Sequence, residues 1–85
     1  MSPKNIREWI GRIDENLPTL DEEYDRAFYG VVCGRDGKQR AVYDFATLVD
    51  ILNEKGKDYE QAVEFIEYEL FGYWLNDGPM LLHRI

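Results

Sequence analysis

The chain is short of the residues that usually announce chemistry. Its 85 residues hold one cysteine, one histidine and three prolines. A single cysteine, Cys33, cannot close an internal disulfide, so no covalent framework staples the fold, and a reducing compartment suits it. No Cys or His pair stands at metal-ligand spacing, and no glycine-rich phosphate loop joins a strand to a helix; no metal and no cofactor is expected. No run of eighteen apolar residues exists to cross a bilayer, and Met1-Ser2-Pro3-Lys4 opens no apolar signal region, so a cytoplasmic protein is expected. Basic residues are scarce as well: ten Lys and Arg face seventeen Asp and Glu, a net charge of −7. That balance argues against free nucleic acid and against an anionic membrane surface, both of which need a basic face. It admits a basic protein partner, which an opposite field would steer.

The apolar share of 45% and the aromatic share of 14% are those of a folded globule. A chain this short makes one domain, burying only about 60–65% of its unfolded surface. Dimerisation is a common supplement to so small a core, which makes a second copy one candidate partner.

Ser2-Pro3 starts a helix over residues 1–13, with Ile6, Trp9, Ile10 and Ile13 at helical spacing. Residues 14–26 are acidic and broken by Pro18, and read as a linker with Leu17 and Leu20 as anchors. The core follows over 27–85. Ala27 to Cys33 is aromatic and β-branched, Gly34-Arg35-Asp36-Gly37 is a hairpin turn, and Lys38 to Tyr43 returns. Asp44 caps a helix carrying Phe45, Leu48, Val49 and Leu52, which Gly56 ends. Asp58 with Gln61 opens a second helix as a capping box, with Tyr59, Ala62, Val63, Ile66 and Leu70 as its apolar line. Tyr73-Trp74-Leu75 is a short strand candidate, residues 76–79 form a turn, and Met80 to Ile85 is a final strand. The expectation is an α+β domain of order α-β-β-α-α-β, a small antiparallel sheet with helices packed on one face.

From Leu20 onward, over about three quarters of the chain, a set of positions resembles a family of small phage-encoded proteins of unknown function. They are Leu20-Asp21, Asp25 ahead of Gly30-Val31-Val32, Val42-Tyr43-Asp44, Tyr59-Glu60-Gln61-Ala62, Glu64-Phe65-Ile66-Glu67-Tyr68, Gly72, Trp74 and Pro79. The chain departs from that pattern at Glu69, where the family usually has asparagine, and at Tyr73 and Asn76, where it has small or flexible residues. The last turn is one residue shorter, and the N-terminal helix lies outside the match. The resemblance implies a phage or prophage setting and carries no known activity. Small phage proteins of this size often bind and redirect host or defence machinery, anti-CRISPR proteins being one class. It therefore implies an infected bacterial cytoplasm and a host or defence protein as partner, with a nucleic-acid-binding one among the candidates.

Three groups of side chains remain as sites. Glu60, Glu64 and Glu67 share one helix face without a base, and step about 6 and 4.5 Å along the axis, on the scale of duplex phosphates. Tyr68 and Phe71 project from the same helix away from the apolar line, and Tyr73 and Trp74 follow; aromatic anchors with a charged rim are how interfaces are built. The expectation is a partner-binding surface made of these seven residues, in a protein that is not an enzyme and that modulates or inhibits what it binds. The second group, Arg35, Lys38 and Arg40, is a basic hairpin tip, the alternative site for a small anionic ligand such as a nucleotide. The third, Cys33 with His83, would be a nucleophile and base only if the sheet brought them together; a strand cysteine is more often a small core residue.

Overall fold

The computed structural model describes Glu8, Ile10, Arg12 and residues 17–72 and 78–84. Most of the expected N-terminal helix and the Tyr73-Trp74-Leu75 strand candidate lie outside the described residues. Glu8, Ile10 and Arg12 are helical, and Ile10 is buried in the core.

The chain forms a 3-10 turn (Glu22–Ala27), strands β1 (Phe28–Cys33) and β2 (Gln39–Asp44), and helices α1 (Phe45–Glu54) and α2 (Tyr59–Phe65). A π-helical turn (Ile66–Leu70) continues α2, and β3 (Met80–Leu82) ends the set. It is an α+β fold, in the order the sequence suggests.

β1 and β2 form the expected hairpin. The turn amide of Gly37 donates to the Gly34 carbonyl at 3.0 Å, and Gly37 takes φ +81°, the left-handed residue of a tight turn with a bulge. The sheet is not wholly antiparallel, however. β2 is central, and β3 lies beside it in the parallel sense, Val42 opposite Met80 and Asp44 opposite Leu82. The cause is the connection: residues 45–79 form a crossover through two helices, long enough to return the chain to the same end of the sheet, which a tight turn cannot do.

Both helix starts follow the sequence. Asp44 accepts from the Thr47 amide at 3.1 Å and from its hydroxyl at 2.6 Å. Asp58 and Gln61 form a reciprocal capping box. At the end of α1, Gly56 (φ +96°) donates to Asn53 and Lys57 donates to Leu52, closing the last carbonyls.

One face of the sheet meets the helices. Ala41 and Tyr43 are fully buried there, clustered with Leu48, Leu52, Ala62 and Ile66. Of the segment expected as a linker, the described residues 17–26 contribute to this core. Leu17 and Leu20 are buried, the Leu20 amide donates to the Tyr43 hydroxyl at 3.0 Å, and Tyr24 packs in with its phenol pushed up to about 12, chiefly by burial and then by Glu23. Ion pairs Arg26–Glu54 and Glu23–Lys55 tie the 3-10 turn to the end of α1.

The π turn was not legible in the spacing. Phe71 donates to the carbonyl of Ile66, five residues back, at 3.0 Å. Wider pitch turns Phe71 inward: it is half-buried against the core together with Leu70, where an unbroken α-helix would aim it outward. Tyr59, expected on the apolar line, is 62% exposed at the first turn. Gly72 follows so closely that an added Cβ would fall inside van der Waals contact with the Tyr68 carbonyl oxygen. Gly72→Ala is therefore expected to cost about 1–3 kcal/mol by forcing this backbone apart. A urea titration checks it, and a variant as stable as the parent would mean the turn opens freely.

Candidate functional site

The acidic face of α2 is present but differently bordered. Glu60, Glu64 and Glu67 are all exposed. Tyr68 is 71% exposed, the most open of the large apolar side chains among the described residues. Phe71 is withdrawn from this surface by the π turn. Tyr73 and Trp74 lie outside the described residues. The face is not free of bases in space. Lys55 and Lys57, from the turn before α2, line a shallow groove with Gln61, Glu64, Phe65, Tyr68 and Glu69. The Lys57 ammonium stands 4.8 Å from the centre of the Phe65 ring, a cation–π contact that holds it along the groove wall. Lys55 is engaged with Glu23 at 2.6 Å. The surface is thus a carboxylate stripe with the exposed Tyr68 at one end and a lysine-edged groove on one flank.

The hairpin tip is less basic than its sequence. Asp36 accepts from the Lys38 amide at 3.0 Å and pairs with Arg40 at 3.1 Å, and these bonds, the Lys38 amide first, hold its carboxyl below the usual range. Arg40 is consumed in bracing the turn, its side chain only 15% exposed. Arg35 and Lys38 remain exposed at the tip.

Cys33 and His83 do not meet. Cys33 pairs with Gln39 at one end of β2, and His83 follows Leu82, which pairs with Asp44 at the other. Gln39 and Asp44 stand five residue steps apart, roughly 17 Å at about 3.4 Å per residue. His83 instead stacks at 4.5 Å on Phe45. Among the described residues no cluster of His, Cys, Asp or Glu could hold a metal ion, and no helix is long and apolar enough to cross a membrane.

One surface escaped the sequence reading. Opposite the helices, the register places Val32, Val42, Met80 and Leu82 on a common face, with Tyr29 beside them at a bulge in β1. Two shallow apolar grooves run along it: one is lined by Tyr29, Val42 and Leu82 among others, and the next by Val32, Met80 and Pro79. Tyr29 is 60% exposed and Met80 46%. At its far end Arg84 grips Asp44 through Nε at 2.8 Å and Nη2 at 3.2 Å and lies over the Tyr29 ring. The Thr47 hydroxyl first, and the Arg84 bond, hold the Asp44 carboxyl below its ordinary range against the opposing effect of burial. The signal was in β2, where Val42 beside buried Tyr43 makes the strand apolar on both faces.

Comparison with protein-family models, with curated proteins and with solved structures finds nothing that matches this chain.

Proposed function

We propose that this is a non-catalytic accessory protein, of the phage type its residue pattern resembles, that binds and modulates a host or antiphage-defence protein in the cytoplasm of an infected bacterium. The observation that carries this reading is the face of α2 and the π turn, where Tyr68, 71% exposed, stands beside the exposed Glu64 and Glu67. An exposed tyrosine supplies a large, rigid contact area at little entropic cost, and the carboxylates supply a field that attracts a basic surface. The partner this favours has a basic groove of the kind that otherwise receives nucleic acid. The chain's net charge of −7 supports the same choice. The hairpin tip, with Arg40 already paired to Asp36, offers a weaker seat for a small anion.

The test uses the partner captured from infected-cell lysate and immobilised for binding kinetics at two salt concentrations. Reversing Glu60, Glu64 and Glu67 to lysine is expected to slow association about tenfold or more and to flatten its salt dependence. Tyr68→Ala is expected to leave association alone and to speed dissociation by roughly tenfold or more. Unchanged rates in both variants, with circular dichroism showing the fold intact, would remove this face as the binding site.

A further inference from the structure

We propose that β1 is a dimerisation strand: it pairs antiparallel with β1 of a second copy of this chain, joining two three-stranded sheets into one of six.

β1 is an edge strand, with β2 on one side and, among the described residues, no strand on the other. The Gly34 amide bonds the Lys38 carbonyl at 2.8 Å, which fixes the alternation of the hairpin. Counting back from it, Val32 and Gly30 turn their backbone groups towards β2, and Val31 and Cys33 turn theirs outward. Edges that are meant to stay single are usually guarded by lysine, proline, an inward charge or a bulge. β1, Phe28-Tyr29-Gly30-Val31-Val32-Cys33, carries no lysine, proline or charge, and its bulge is confined to Phe28–Gly30, which leaves Gly30 to Cys33 in regular register. The other edge of the sheet is only the three residues of β3.

Charge selects the occupant and its direction. Two copies carrying −7 each repel unless they meet where acid faces base. β1 is entered from a segment in which Asp21 and Glu22 are exposed and the one base, Arg26, is paired to Glu54, and it exits into the hairpin tip, with Arg35 and Lys38 exposed. Antiparallel pairing about a two-fold axis sets the acidic entry of each copy beside the basic exit of the other, twice over. Parallel pairing would set like against like. The two-fold arrangement consumes both long edges and leaves only the two short β3 edges, so the assembly closes as a dimer. It also makes the apolar face of Tyr29, Val32 and Met80 continuous across both copies. This surface is separate from the α2 face, so either can fail without the other.

Sedimentation velocity over a concentration series, paired with amide hydrogen exchange, tests it. The parent chain is expected to sediment as a dimer at high concentration, with the amides of Val31 and Cys33 gaining protection as the dimer fills. Arg35→Glu with Lys38→Glu is expected to raise the dimer dissociation constant at least tenfold. Adding Asp21→Lys and Glu22→Lys to that variant, which reverses both ends together, is expected to restore dimerisation. A chain monomeric throughout would overturn the proposal. So would a dimer whose Val31 and Cys33 amides gain no protection, a charge reversal that leaves assembly unchanged, or a four-fold variant that folds but stays monomeric.

Discussion

Ile66→Ala is expected to lower the unfolding free energy by about 2–5 kcal/mol. Ile66 is fully buried, and it sits where α2 gives way to the π turn, its carbonyl taking the Phe71 amide at 3.0 Å. Truncation would leave a cavity among Ala62, Leu52 and the half-buried Leu70 and Phe71, which belong to one cluster. The backbone there is bound on both sides and has little freedom to collapse into the space. A loss of that size is a large share of the roughly 5–15 kcal/mol that holds a small domain together. Denaturant titration measures it. A loss below about 1 kcal/mol would show that the wider turn relaxes to fill the gap.

Asp44→Ala is expected to cost about 2–3 kcal/mol, more than the loss of about 1 kcal/mol expected for Asp58→Ala. Both residues cap a helix, but they are used differently. Asp58 closes only its own capping box, in the open. Asp44, 3% exposed, caps α1, takes the Thr47 hydroxyl and holds Arg84, so it joins α1, β2 and the chain beyond β3 at one carboxylate. Its folded pKa is depressed, by the Thr47 hydroxyl first and Arg84 after it. Asp44 therefore adds stability above its unfolded pKa, about 3.9, and loses it as pH falls through the lower folded value. The gap between parent and Asp44→Ala should be full at neutral pH and shrink below about pH 4. A gap that stays constant from pH 7 to pH 3 would mean the carboxylate charge contributes nothing.

Local chemistry was readable because each signal acts within a few residues. Asp44, Asp58 with Gln61, Gly56 and Gly37 each fix a backbone group next to them, and each does in the structure what its type and position require. The α+β order followed from those boundaries. What the sequence hid depends on partners far along the chain. The parallel seat of β3 is decided by the path of the two-helix crossover, which no residue of Met80-Leu81-Leu82 encodes. The π turn is a choice of hydrogen-bond partner that three-dimensional packing makes, and it moved Phe71 from the expected site into the core. Of the seven residues expected on the binding face, the three glutamates and Tyr68 are exposed as read. The lysines beside Glu64 arrive through the α1–α2 turn, which helical projection of α2 alone cannot show.

The parallel seat of β3 also sets a sequence of events in time. The β1–β2 hairpin has its strands joined by a five-residue turn and needs nothing else to begin closing, a process of about 1–10 μs. β3 can find its groove beside β2 only after the crossover has brought it round, so it pays the loop-closure entropy of residues 45–79 before any bond rewards it. The strand expected to form last is also the shortest, three residues laddered to β2 and clasped just beyond their end by Arg84 on Asp44. The sheet therefore has a slow, late-arriving side and a fast, early one. Loss of the Arg84–Asp44 clasp is therefore expected to loosen the β3 side of the sheet ahead of the hairpin and the helical core.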